Sequence, residues 1–208
     1  QQQVTLFSDA FRQTRDWVLI FDKEKRLVAA NPAFEQVFGF NNKEPLPKQL
    51  ARLYLRYPTL NRHLSGKLPE MQGGDFWKDE AVIDGADGKR YDVLIDITAV
   101  SGESNTAEHY LIVISDITEQ KNAERKLLKI ATYDGLTGLV NRTLLLDRLE
   151  HAIGLARHHE HRVAVMFVDL DRFKGINDSL GHDYGDKLLR IVANRMRNLV
   201  AESGTVAR

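Results

Sequence analysis

FVDLDRFKGINDSLGHDYGD, residues 167–186, decides how the rest of this chain is read. It continues an unbroken apolar run, VAVMFV at 163–168, which has the pattern of a short buried strand. The run gives way abruptly to Asp169-Leu170-Asp171, so carboxylates stand at the strand's mouth. Alternate side chains of an extended chain share a side, which sends Asp169 and Asp171 the same way with the Leu170 carbonyl between them. Oxygen donors so placed suit a hard cation such as Mg²⁺, which takes one or two carboxylates together with substrate phosphates. Lys174 adds a point charge suited to phosphate. Asn177 brings a carboxamide that both donates and accepts, and Asp186 an acceptor-only carboxylate. Each has an ordinary reading too, since Asp-x-Asp after a strand also serves as a turn or helix cap, and Asn-Asp-Ser is turn chemistry.

Taken whole, the string resembles the first half of the GGDEF domain of bacterial diguanylate cyclases. Asp134-Gly135-Leu136-Thr137-Gly138-Leu139-Val140-Asn141-Arg142 upstream shares in that resemblance, and the two motifs stand in the expected order. The resemblance implies a nucleotidyl transfer that joins two GTP molecules into cyclic di-GMP: each 3′-hydroxyl attacks the other nucleotide's α-phosphate and pyrophosphate leaves. One subunit holds one GTP, so two sites must face each other in a symmetric homodimer. Catalysis is then positioning plus charge neutralisation by divalent metal, Mg²⁺ or Mn²⁺. Carried over by motif, Asp169 is the catalytic carboxylate and binds metal with the Leu170 carbonyl. Asn177 and Asp186 read guanine, whose edge needs a donor toward O6 or N7 and an acceptor for the N1 and N2 hydrogens. Lys174 holds phosphate with the amides of Arg172 and Phe173, at a turn entering a helix where free N–H groups favour anions. Asp171 and Asp178 are equally readable as structural caps, and His182 as a turn-packing residue.

Composition sets the outer limits. A length of 208 residues leaves room for one or two domains, and 43% hydrophobic residues suffice for real cores. A net charge of +0 and a pI near 7.2 exclude the basic field that draws nucleic acid or anionic membrane. With no cysteine there is no disulfide, thiolate metal site, iron–sulfur cluster or cysteinyl photoadduct, in keeping with a reducing cytoplasm. No apolar run approaches the ~20 residues of a membrane span. Gln1-Gln2-Gln3 is neither signal peptide nor natural initiator, so the expectation is a cytoplasmic segment of a longer protein whose upstream part is free to carry a membrane anchor.

Before the GGDEF-like part, residues 4–15 carry Leu6, Phe7, Ala10 and Phe11 at helical spacing. Residues 17–21 and 27–30 read as a hairpin across a polar turn. Asn31-Pro32 is a cap followed by proline at the first helical position, opening a helix over 32–38 that Gly39 stops. This hairpin followed by Asn-Pro-Ala-Phe-Glu-Gln-Val-Phe-Gly-Phe resembles the PAS sensor domain. Residues 41–71 read as one or two short helices, the clearer at 48–57, where PAS domains cover a ligand cavity. Strands follow at 76–83, 91–100 and 110–114, with a turn at 85–88 and a loop at 101–107, completing a five-stranded antiparallel α+β domain. Trp77 and Asp116-Ile117-Thr118 match the PAS pattern. Gly73-Gly74-Asp75-Phe76 imitates a shortened cyclase signature but is assigned to a PAS loop.

The resemblance leaves the PAS ligand open between none, haem and noncovalent flavin. Phe21, Phe34, Phe38, Trp77, Tyr91 and Tyr110 are read as plain core, and His63, the one histidine of the covering region, as an exposed turn residue and only secondarily as a haem ligand. Ile117, Gln120, Ala123, Leu127, Ile130 and Asp134 step by threes and fours. Such a narrow stripe fits either a two-stranded coiled coil or a helix packed on its own domain. Helices are expected at 141–158 and 184–200 with core-facing apolar sides.

The resulting layout is a PAS domain at 1–116, a helical linker at 117–133 and a truncated α/β GGDEF domain at 134–208. Its end at Thr205-Val206-Ala207-Arg208 falls where family members enter the Gly-Gly-Asp/Glu-Glu-Phe hairpin, so the chain as written is expected not to turn over. Aligned on Arg208, 201–204 take the place of the family's Arg-x-x-Asp product site, and that feedback inhibition is expected to be missing. The leading expectation is a PAS-regulated diguanylate cyclase that dimerises through the linker helix and PAS domain. The alternatives are a GTP-binding module regulating a downstream cyclic di-GMP phosphodiesterase domain, and a dimerising PAS unit alone.

Overall fold

The computed structural model describes residues 2–40, 45–102, 106–200 and 204–208. The chain forms two compact units, Gln1–Asn122 and Ala123–Arg208. The first opens with α1 (Gln2–Gln13), followed by the hairpin β1 (Trp17–Asp22) and β2 (Leu27–Ala30). Asn31 then starts α2 (Pro32–Phe38), and Gly39 ends it in the left-handed region at φ 72°, which glycine enters without penalty. Next come α3 (Leu46–Arg56), α4 (Pro58–Lys67) and a 3₁₀ turn (Leu68–Glu70). β3 (Phe76–Asp84), β4 (Arg90–Ser101) and β5 (Ala107–Asp116) complete an antiparallel sheet of order β2-β1-β5-β4-β3. This is the α+β, five-stranded architecture expected from the sequence.

Strand alternation explains the core. Leu19, Phe21, Val93, Ile95, Ile97, Ile112 and Ile114 point to one face and are fully buried against Phe34, Leu60 and Leu64. Trp17 meets Phe38 edge-on at 5.4 Å, Phe38 stacks on Phe34 at 4.3 Å, and Tyr57 closes on Phe38 at 5.1 Å. These aromatics fill the interior by packing on one another. Asn31, itself fully buried, ties three elements together: its Oδ1 accepts from the Phe34 and Val18 N–H groups at 3.0 and 2.9 Å, and its Nδ2 donates to the Asp16 carbonyl at 2.8 Å.

Two expectations change in this unit. Residues 58–67 form a helix where His-Leu-Ser-Gly suggested a turn, because burial of Leu60 and Leu64 overrides the weak local propensities. His63 is consequently not an exposed turn residue: its ring lies 5.5 Å from Trp77, with Nδ1 3.9 Å from Asp79. The cyclase-like string 73–76 lies, as assigned, in the turn entering β3, where Gly74 (φ 88°) donates to the Ala99 carbonyl and Asp75 accepts from Ala99.

α5 (Thr118–Thr132) leaves β5 directly. Asp116 accepts from the Thr118 N–H, the Thr118 hydroxyl accepts from Asp92 N–H, and Lys121 pairs with Glu80 at 2.7 Å. The second unit continues with α6 (Arg142–His159), α7 (Phe173–Leu180) and α8 (His182–Leu199). The Asn141 side chain caps α6 at Leu144 N–H (3.1 Å). Its Nδ2 and main-chain N–H also reach back to the carbonyls of Ala131 (2.8 Å) and Thr132 (2.9 Å) at the end of α5.

The expected buried strand at 163–168 is corrected. The segment carries no regular secondary structure, with Met166 85% and Phe167 96% exposed. A strand is defined by its ladder, and among the described residues no neighbour supplies one. Residues 201–203, part of the segment standing in place of the product site, lie outside the described residues, as do 41–44 and 103–105.

Candidate functional site

The motif at 167–186 folds into a turn and a helix pair. The irregular segment ends at Leu170, and Arg172 turns the chain through φ 58°, a left-handed conformation uncommon outside glycine. The Phe173 N–H donates to the Leu170 carbonyl at 3.3 Å, closing the turn from which α7 springs. The expected metal-binding carbonyl and the expected phosphate-binding amide are thus partners of each other, with the second lone pair of Leu170 left over. Asp169 and Lys174 are exposed and engage no partner among the described residues.

α7 and α8 pack against each other across the Gly181 turn (φ 89°). Asn177 on α7 meets Gly185 on α8, and its Oδ1 is buried with no hydrogen-bond partner among the described residues. Asp186, half-buried, is the next residue of α8. Asn177 therefore meets α8 at the residue next to Asp186, the other expected base-reading residue, although nine positions separate the two in the chain. His182 begins α8 in an exposed position, and Asp171 and Asp178 are exposed. Gly185 was not singled out from the sequence; the signal available was a glycine inside a helical pattern.

The donor chemistry at Asp169 and Leu170 is oxygen-only and fits a hard cation in kind. Among the described residues no group of three acidic, histidine or cysteine side chains could hold a metal by itself. The pair can thus furnish part of a shell whose remainder comes from phosphates and water, the usual arrangement for Mg²⁺.

The upstream motif serves architecture. Asp134 Oδ1 accepts from the Thr137 N–H at 2.9 Å and from its hydroxyl at 2.6 Å, and Arg208 donates to both carboxylate oxygens at 3.0 Å. Burial pushes this carboxyl up, but the Thr137 and Arg208 donors outweigh it and hold it below the usual carboxylate range. Val140 bridges Tyr133 on one side and Ala207 on the other, so the same knot gathers the segments before and after the helices.

In the first unit, a surface groove of about 250 Å³ is lined by Glu80, Ala81, Val82, Asp92, Val93, Ile117 and Lys121, where α5 leaves the sheet. Tyr91 donates to Asp87 at 2.7 Å, and this bond, reinforced by burial, pushes its hydroxyl up to about 12. No described helix is long and apolar enough to cross a membrane.

Comparison with known proteins follows this division. Residues 15–119, just over half of the chain, match the PAS domain family, and residues 131–208 match the family described as diguanylate cyclase, GGDEF domain. The chain is 30% identical over 192 residues to the probable diguanylate cyclase DgcE of Escherichia coli, covering 92% of this chain and 17% of that protein. Over 91 residues it is 50% identical to the bifunctional diguanylate cyclase/cyclic di-GMP phosphodiesterase MucR of Pseudomonas aeruginosa, covering 44% of this chain and 13% of that one. It therefore spans less than a fifth of the length of either relative. Among solved structures, the PAS domain of an HTR-like protein from Haloarcula marismortui matches with a TM-score of 0.44 at 15% identity, over 56% of this chain and 98% of that one. The chain belongs to the PAS domain family, and a GGDEF domain follows its PAS domain.

Proposed function

We propose that this chain carries the PAS and GGDEF parts of a PAS-regulated diguanylate cyclase that makes cyclic di-GMP from two GTP. The observation that carries this reading is the α7–α8 crossing, where Asn177, with its unpartnered Oδ1, lies against Gly185, the residue before Asp186. A carboxamide and a carboxylate together offer the donor and acceptor that a guanine edge requires. Lys174 and the main chain of Arg172 and Phe173 hold the phosphates at the start of α7, where N–H groups and helix dipole favour anions, the Phe173 N–H giving up its 3.3 Å bond to the Leu170 carbonyl. Asp169 and the Leu170 carbonyl would hold Mg²⁺ or Mn²⁺, which when bound supplies charge neutralisation at the reacting phosphates. Asp169 contributes a fixed negative charge at the turn, and Asn177 and Asp186 orient the nucleotide for attack.

The proposed layout is PAS at 1–116, linker 117–133 and GGDEF part 134–208, in a cytoplasmic homodimer. Leu127, Leu128 and Ile130 are 68%, 64% and 74% exposed on α5, which supports pairing through that helix. A second reading, GTP binding without turnover that regulates a phosphodiesterase domain, is favoured by the likeness to the bifunctional MucR. Nucleotide titration tests the common core of both: Mg²⁺-GTP should bind in preference to Mg²⁺-ATP, and equal affinity would remove the assignment. Given that preference, turnover of GTP to cyclic di-GMP separates the two.

A further inference from the structure

We infer that Gly185 is the positioning residue that sets purine specificity at this site. It holds the Asn177 carboxamide with Oδ1 turned into the α7–α8 contact and Nδ2 turned toward the base, so the site accepts a purine with acceptors at O6 and N7 and rejects one with an amino group at position 6. The inference rests on the reading of Asn177 and Asp186 as base-contacting residues.

Three observations carry it. Gly185 is buried in the first turns of α8. Its backbone is not among the positive-φ positions, so no conformational demand explains a glycine there. A methyl group at 185 would fall inside the van der Waals envelope of Asn177 Oδ1, 3.0 Å from Cγ and 3.1 Å from Phe173 Cζ. Close approach is therefore what the glycine provides, in a helix where alanine would otherwise be preferred.

The orientation of the amide follows from the contact. A carbonyl oxygen against a Cα–H makes a weak attractive contact. The flipped amide would instead bury two N–H donors against carbon, a worse arrangement. With Oδ1 held inward, the donor end is what a ligand meets. Nδ2 then complements O6 or N7 of guanine, whereas the 6-amino group of adenine meets a donor with a donor. Alanine at 185 would leave the helix sound and displace the softest neighbour, the end of the Asn177 side chain, so recognition is lost while the fold stays.

The test is a titration of GTP and ATP, each with Mg²⁺, against the full-length protein and its Gly185→Ala, Asn177→Ala and doubly substituted variants, with helicity followed by circular dichroism. Wild type should prefer GTP. Each single substitution should lower the GTP/ATP affinity ratio about tenfold or more, the scale of a lost base-edge hydrogen bond. ATP binding should hold within about twofold, since the phosphate contacts are untouched. The double variant should be no worse than either single one, because both act through one carboxamide. No GTP preference in the wild type defeats the reading of the site itself. A wild-type preference that Asn177→Ala abolishes and Gly185→Ala leaves intact defeats this inference alone. So does a loss of helicity in Gly185→Ala that Asn177→Ala fails to restore, since the glycine would then serve helix packing and not the carboxamide.

Discussion

Asn31→Ala should destabilise the first unit by about 3–4 kcal/mol, a sum of three losses at one buried side chain. Removing an N-cap acceptor costs typically about 1 kcal/mol, here the bond from the Phe34 N–H. The Val18 N–H loses its acceptor at a buried position, at about 1–3 kcal/mol. The Asp16 carbonyl loses its donor but is only part-buried, so water replaces much of that bond and the cost is roughly 0.5 kcal/mol. Against a typical domain stability of about 5–15 kcal/mol the change is large. Both tryptophans, Trp17 and Trp77, lie in this unit, so urea unfolding followed by tryptophan emission reports on it alone. With a slope of about 1–3 kcal/mol per molar urea, the midpoint should fall by roughly 1–4 M. Asn31→Ser separates the contributions: serine caps nearly as well but is too short to reach Val18 and Asp16 as well, so it should recover only the cap. A loss below about 1 kcal/mol for alanine, or a serine variant as stable as wild type, would refute the claim that Asn31 joins β1 to α2.

Three further expectations concern titration and assembly. Because the folded state holds the Tyr91 proton up to about 12, above the ordinary value of 10.0, its contribution to stability is complete below pH 10 and disappears as pH rises toward 12. In an alkaline absorbance titration Tyr91 should be among the late members of the six tyrosines, together with Tyr54 and Tyr57, which burial also raises, and Asp87→Asn should bring one of them back; an unchanged titration in Asp87→Asn would contradict this. The lowered Asp134 carboxyl stabilises the second unit fully above its ordinary value of 3.8 and ceases to do so as pH falls through the folded value. Acid unfolding followed by circular dichroism should therefore begin at higher pH in Asp134→Asn, and an unchanged profile would count against the Thr137 and Arg208 contacts. Leu127→Lys with Ile130→Lys should lower the sedimenting mass if α5 pairs with a second copy, and an unchanged mass would reject that pairing.

What the residues disclosed in advance was chiefly what local chemistry dictates. Asn31-Pro32 read as a helix start because capping is settled within a few residues. Strand alternation at 91–100 and 110–114 marked the core face directly. The second duty of Asn31 and of Asn141, toward Val18 and Asp16 or toward Ala131 and Thr132, was hidden because it depends on a neighbour brought close by folding. His63 was misjudged for a related reason: Ser-Gly nearby favours a turn, and only the burial of Leu60 and Leu64 makes the helix. The apolar run 163–168 advertised burial, yet the structure leaves it exposed: burial needs a partner, and no local pattern states where one is. At the candidate site, Asn177 and Asp186 could be named from the motif, whereas Gly185 gained meaning only when its missing side chain was set against the Asn177 oxygen.

Asn141 has one more implication. The final carbonyls of α5 and the opening N–H groups of α6 hang on the same residue, so the joint between these helices has no slack. A twist of α5 about its own axis would be handed to α6 as a change of heading instead of being absorbed in the loop at 133–140. The asparagine behaves as a keyed coupling between two shafts, and a glycine in its place would let the first turn without driving the second.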